Sequence, residues 1–112
     1  MLAKKFRLNL KKDFSWVASG KRVETKFAKL FIRVGENELA RVGIALSSKS
    51  FKKANDRNRA RRLTAAAFEP LYTKLPNNIN IVALPKSNTL EVKSGDILID
   101  IEEALKKEKV LL

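Results

Sequence analysis

Between Asn55 and Glu69 the chain repeats apolar side chains at helical spacing and sets its basic ones on the opposite side. At about 100° per residue, with Arg57 at zero, Ala60, Leu63, Ala67 and Leu71 fall between about 240° and 320°. Arg57, Asn58, Arg59, Arg61 and Arg62 fall between about 0° and 200°. A helix begins at Asn55 or Asp56, packs one face on a sheet and presents four guanidiniums on the other. Pro70 removes a backbone donor and disfavours helical geometry at Glu69, so the helix is expected to end or kink there.

The sheet that this helix needs is visible on both sides of it. Residues 26–34 alternate as a strand: Ala28, Leu30, Ile32 and Val34 face one way, and Phe27, Lys29, Phe31 and Arg33 the other. Gly35-Glu36-Asn37-Glu38 reads as a turn, and Leu39 to Leu46 as the returning strand of a hairpin. Ile79 to Leu84 is an apolar run bounded by Pro76-Asn77-Asn78 and Pro85, which suits a buried strand. A short first helix carries Leu10, Phe14, Trp16, Val17 and Ala18, entered through Asp13 and closed at Gly20. A last helix runs from a cap at Ser94-Gly95-Asp96 through Lys107, with Ile97, Ile101, Ala104 and Leu105 inward. Ile97, Ile99 and Ile101 also alternate as a strand would. The order is αββαβα, with room for another strand in the 36–48 region, and no repeat or Pro/Gly linker divides residues 1–112.

Charge is distributed very unevenly over this frame. The chain has 24 Lys plus Arg against 12 Asp plus Glu, a net charge of +12. Residues 1–34 hold ten bases and two acids, residues 35–72 eight and four, and residues 73–112 six of each. A one-sided excess of this size reads as a surface for a polyanion. The chain has no Cys and no His, which excludes a disulfide scaffold, a thiol nucleophile and any His-centred catalytic or metal site. The basic opening Lys4-Lys5-Phe6-Arg7 has no apolar stretch behind it to make a signal peptide, and no run reaches the ~20 apolar residues of a membrane span. The expected location is cytoplasmic, without membrane contact.

Two constellations carry chemistry. Residues 49–62 hold seven bases and one acid. Lys49, Lys52 and Lys53 lead into the Arg57, Arg59, Arg61 and Arg62 cluster, where Arg57 and Arg61 repel at i,i+4 unless a partner neutralises them. Guanidinium forks bind phosphate bidentately and stack on bases, which ammonium groups cannot do. A plain solvated helix face is the alternative. On the strand, Lys29, Phe31 and Arg33 beside Phe27 form the basic and aromatic mixture that holds single-stranded nucleic acid, unless the two phenylalanines are core beneath a covering helix. Asp96, Asp100 and Glu103 share one helical side, but a cap and surface acids account for them better than a metal site does.

Arg57-Asn58-Arg59 followed by Arg61-Arg62-Leu63, with Lys52-Lys53-Ala54 ahead of it, resembles the RNR motif of the bacterial ribonuclease P protein component. Arg41-Val42-Gly43-Ile44-Ala45-Leu46-Ser47 resembles that family's strand before its Ser-Lys-Lys turn. Leu10-Lys11-Lys12-Asp13-Phe14, Val17, Gly20 and the 79–84 strand continue the likeness, over roughly residues 8–107. The resemblance implies an α+β fold of order αβββαβα, a two-layer sandwich with a four-stranded sheet and a left-handed βαβ crossover, against the usual hand. It implies a subunit of an endoribonuclease holoenzyme that removes the 5′ leader of precursor tRNA. The catalytic RNA is one partner and the leader another; the RNA carries out hydrolysis with Mg2+, the chain alone is non-catalytic, and the protein is expected to be monomeric.

Carried over residue by residue, Arg57, Asn58, Arg59 and Arg62 meet the RNA subunit, and Lys49, Lys52 and Lys53 form the basic approach. The resemblance implies that Phe14, Lys29 and Phe31 contact the leader. Ala18 replaces a second Phe, Ser48 the first Lys of the turn, and Glu69 an Arg. The leader cleft is then shallower, with Trp16 in a position to compensate. A structural RNA-binding protein of ribosomal type would explain the charge but not the cleft. A DNA-reading helix would carry more varied polar side chains, and a free-standing protein nuclease would lack a general base.

Overall fold

The computed structural model describes residues 3–111. A 3₁₀ turn at Lys4–Phe6 precedes α1 (Leu10–Ala18), β1 (Lys21–Glu24), β2 (Ala28–Val34), β3 (Arg41–Ile44), α2 (Ala54–Tyr72) and β4 (Ile79–Pro85). A second 3₁₀ turn at Ser87–Glu91 leads into α3 (Ser94–Lys107). The order is αβββαβα, in an open four-stranded sheet arranged β1-β2-β4-β3.

That arrangement corrects the expected hairpin. β2 and β3 do not pair; β4 lies between them, antiparallel to β2 from Ala28↔Pro85 to Val34↔Ile79 and parallel to β3. The reason lies in β4 itself. It is buried at every position but Leu84, and a strand apolar on both faces is most stable in the middle of a sheet. The 35–40 segment is therefore a crossing rather than a turn. Asn37 holds it, its amide donating to the carbonyls of Leu39 (2.7 Å) and Ile79 (3.2 Å) while its oxygen accepts from Asn80 (2.9 Å). The true hairpin joins β2 to β1, a strand that the sequence does not announce because only Val23 in it is even half-buried. Charged side chains suit such an edge.

Leu30 and Ile32 of β2, Ile81 and Ala83 of β4 and Val42 of β3 make one face of the sheet. Ala67, Phe68 and Leu71 of α2 and Ile97, Ile101 and Leu105 of α3 cover it. These are the two layers of the sandwich. The other face carries Phe31 and Val82, and α1 lies across part of it through Val17, Leu10 and Phe14. Phe27 is not on that face. It sits in the turn before β2, where Thr25 Oγ1 accepts from Ala28 N (3.0 Å) and Asp100 accepts from Phe27 N (2.9 Å), and the ring drops into the main core. Val34, placed inward by alternation, is 60% exposed because it ends the strand beyond the helices.

Helix boundaries moved for local reasons. α1 starts at Leu10 with Asn9 as its cap, whose side chain accepts from Lys12 N (3.3 Å), so Asp13 lies inside the helix. Gly20 does not adopt a left-handed conformation. It is needed for close approach: a Cβ there would meet the Ile32 carbonyl oxygen and come within 2.9 Å of Arg33 Cβ. α2 runs through Pro70 to Tyr72. Proline removes only the donor to the Ala66 carbonyl, one turn from the end and on the exposed side. The 94–107 segment is a helix, with Ile97 and Ile101 buried and Ile99 57% exposed. It begins at Ser94, so Asp96 is its third residue rather than its cap and accepts from Lys93 N (3.1 Å). Ala104 is half-buried. Among the described residues no helix is long and apolar enough to cross a membrane.

Candidate nucleic-acid interface

The approach to α2 is anchored by an aromatic that the sequence reading passed over. Phe51 is 1% exposed, and its N–H donates to Ser47 O (3.0 Å). Lys49, Lys52 and Lys53 are thereby left exposed on a short, pinned connection. Arg57 completes the anchor: its Nη1 donates to Phe51 O (2.8 Å) and Lys52 O (3.4 Å), and the residue is half-buried. It is not a free guanidinium like its neighbours. Arg61 Nη1 donates to Asn58 Oδ1 (3.0 Å), which fixes the direction of both side chains, while Arg59 and Arg62 are exposed. Among the described residues no ion pair reaches any of the four arginines. This end of α2 therefore carries crowded, uncompensated positive charge on a rigid support, which is what an anionic backbone neutralises.

Three further cations join this end without having been singled out. Lys4, Arg7 and Lys11 line a groove shared with Arg61. The N-terminal segment reaches there by one parallel bridge, Arg7↔Val42, with Leu8 N donating to Val42 O (3.1 Å). The only signal in the sequence was the density of bases before residue 34; a bridge of one residue leaves no periodicity to read.

The second candidate surface is the α1 side of the sheet. Lys29, Phe31 and Arg33 share it as alternation requires, and all three are half-buried. Phe31 and Phe14 pack beside Val82, Leu84 and Ala45, so the two aromatics are brought together between α1 and the sheet. Lys29 stands opposite Glu24 on β1. The Glu24 carboxyl lies below its ordinary pKa, through its hydrogen bond with Lys86 (3.3 Å) first and the nearby Lys29 and Arg22 charges after that. Arg33 is committed elsewhere. Its Nη1 donates to Trp16 O (3.1 Å) and Ser19 Oγ, and its guanidinium carbon lies 4.7 Å from the Trp16 ring centroid. Arg33 thus ties the end of α1 to β2, and Trp16, 38% exposed, is held at that end of the cleft.

The positions that depart from the family pattern are Ala18, half-buried on α1, Ser48, exposed in the approach to α2, and Glu69, exposed on α2. Of Asp96, Asp100 and Glu103 on α3, Asp100 accepts from Lys26 N (3.2 Å) as well as Phe27 N, and Asp96 serves the helix start. Among the described residues no cluster of three or more acidic side chains could hold a metal ion.

Fold and surface define a small, strongly basic α+β protein in which a parallel strand–helix–strand crossover carries an uncompensated arginine face. Residues 2–109 match the family described as Ribonuclease P, and the chain belongs to that family. The ribonuclease P protein component of Legionella pneumophila strain Lens is 41% identical over 81 residues, covering 70% of this chain and 69% of its own length. That of a Pseudanabaena species is 32% identical over 113 residues, covering 99% and 97%. Among solved structures, the RNase P protein from Thermotoga maritima superposes with a TM-score of 0.78 at 24% identity, over 90% of this chain and 96% of that one. The Staphylococcus aureus RNase P protein gives 0.79 at 21%, over 96% and 98%. These two likenesses establish the fold. Family membership makes the chain a protein component of ribonuclease P, acting in tRNA processing.

Proposed function

We propose that the chain binds the RNA subunit of ribonuclease P through the start of α2 and holds the 5′ leader of precursor tRNA in the cleft between α1 and the sheet. Endonucleolytic hydrolysis then belongs to the RNA. The observation that carries this reading is the end of α2, where Arg57, Arg59, Arg61 and Arg62 have no carboxylate partner among the described residues. Phosphates of folded RNA supply the missing anions, each contact releasing counterions. Lys49, Lys52, Lys53 and Asn58 extend that contact. In the cleft, Phe14 and Phe31 offer faces for unstacked bases, Lys29 a charge for the strand's phosphates, and Trp16 a further ring at the far end. Arg33 positions Trp16 and α1 rather than gripping phosphate.

A chain without His or Cys has no side chain suited to take a proton at neutral pH, and Asp96 and Asp100 of α3 are occupied by backbone donors. Magnesium, held mainly by the RNA, supplies Lewis-acid stabilisation of phosphate charge when bound. The protein raises the local affinity for substrate and positions the scissile bond. It works as a monomer within the ribonucleoprotein, in the cytoplasm. The test is reconstitution with a bacterial ribonuclease P RNA at low magnesium. Added protein should increase precursor cleavage, and more so for longer leaders; no gain refutes the assignment.

A further inference from the structure

The groove at the β3 edge has a construction that phosphate binding alone does not require. It encloses about 540 Å³, within the range of about 300–1,000 Å³ typical of small-molecule sites. Its floor is aliphatic, made by Leu8, Leu10, Ile44 and Ala65, and its rim is cationic, made by Lys4, Arg7, Lys11 and Arg61. Among the described residues no acidic side chain lines it. A polyanion lying flat on the surface would use the rim and leave the floor bare.

The strand edge adds a second feature. Ala45 N donates to Ala83 O (2.9 Å) toward β4, so its neighbour Ile44 turns its own N–H and C=O the other way, toward the groove. Among the described residues the N-terminal segment covers this edge only at Val42, through the Arg7↔Val42 bridge, and then turns into α1. Two residues on, at Ile44, a donor and an acceptor face the groove with no strand beyond them among the described residues. Gly43 keeps the floor close, since a Cβ there would stand 2.7 Å from Leu10 Cδ2.

We propose that this groove receives a single unpaired nucleotide of the structured RNA. The base rests on the aliphatic floor with its edge on the Ile44 backbone, and the cationic rim holds the flanking phosphates. This rests on the reading that α2 docks on RNA, and it deepens that reading: recognition is of an unstacked nucleotide in a folded RNA and not of a continuous duplex. Arg61 links the two surfaces, because it belongs to the arginine cluster and also lines the groove. Its guanidinium plane, steadied by Asn58, is available to stack on the inserted base.

The test compares an RNA hairpin carrying a one-nucleotide bulge with an uninterrupted hairpin of the same length, each titrated with the full chain at fixed salt. The bulged RNA should bind about tenfold more tightly or better, the size of one base-stacking contact. Ala65→Leu, which puts added carbons into the groove, should abolish that preference and leave the affinity for the uninterrupted hairpin unchanged. Equal binding of both RNAs, or a preference that survives Ala65→Leu, overturns the groove assignment while RNA binding stands. Failure of both RNAs to bind overturns the RNA-docking reading itself. Should Ala65→Leu not fold, the wild-type chain still decides by amide NMR. Adenosine monophosphate should shift Leu8 and Ile44, and inorganic phosphate at equal concentration should not. Equal shifts from phosphate, or adenosine shifts gathered at Phe14 and Phe31, overturn the proposal.

Discussion

Replacing Arg57 with alanine separates two roles that the arginine cluster holds together. Arg57 makes one good charged hydrogen bond to Phe51 O at 2.8 Å and a weak one to Lys52 O at 3.4 Å. A hydrogen bond from a charged donor contributes about 1.5–3 kcal/mol, and half-exposure of this one argues for the lower end, ~1.5 kcal/mol. Unfolding entropy of about 2.1 cal/mol/K per residue gives roughly 0.24 kcal/mol/K for the 112-residue chain, so Tm should fall by about 6 °C. Arg59→Ala and Arg62→Ala, which remove exposed side chains with no hydrogen-bond or ion-pair partner among the described residues, should stay within about 0.5 kcal/mol of wild type. RNA binding should rank the variants differently. Arg59→Ala and Arg62→Ala should each flatten the log K against log salt slope by ~0.9. Arg57→Lys, which keeps the charge but loses the fork, should lower Tm without changing the slope. The assays are thermal unfolding by circular dichroism and a salt series of filter binding. Equal Tm values for Arg57→Ala and Arg59→Ala would refute the tether, and unchanged slopes would return the cluster to an ordinary solvated face.

Other perturbations test other parts of the molecule. Lys109 holds φ at 59° past the end of α3, where Val110 N donates to Leu105 O (2.9 Å), and Lys109→Gly should therefore raise Tm by about 4 °C, or ~1 kcal/mol. Phe14→Ala should lower the ratio of affinities for long-leader and leaderless substrate about fivefold or more, with RNA-subunit affinity unchanged; a constant ratio across a leader-length series would remove Phe14 from the cleft. Tyr72 donates to Ala40 O (2.5 Å), and burial raises its phenol above the ordinary value of about 10. A raised acid contributes its stability fully below the unfolded value and loses it as pH climbs through the folded one. The stability gap between wild type and Tyr72→Phe should thus be ~1 kcal/mol at pH 8 and shrink above pH 10; a gap independent of pH would show that ionisation of Tyr72 plays no part.

What could be read from the sequence was what repeats. The face of α2 and the alternation of β2 declare themselves because burial imposes a period on neighbouring residues, as with Leu30 and Ile32 against Lys29 and Phe31. The resemblance to a family supplied the order of elements but not their contacts. The pairing of β2 with β4 rather than β3 is a choice between distant segments, and nothing near Gly35 records it. β1 has no apolar pattern and forms because β2 has a free edge. Arg57 differs from Arg59 only through Phe51, whose burial depends on a loop that folds back. Phe27 left its expected face because a turn, held by Asp100 from the far end of the chain, interrupts the alternation one residue early.

The strand order has a consequence for how the molecule comes into being. β2 gains one neighbour from the residues just before it and the other from β4, a strand made only after the whole of α2. During synthesis the first half of the chain therefore emerges with its apolar strand face uncovered and its cations bunched together, and such long-range pairings close late. A ribosome-bound fragment ending before β4 would be a poor binder however many arginines it displayed. The neutral last third, which supplies none of the cations of the proposed RNA surfaces, supplies the strand and helix that turn a basic stretch of sequence into a basic surface.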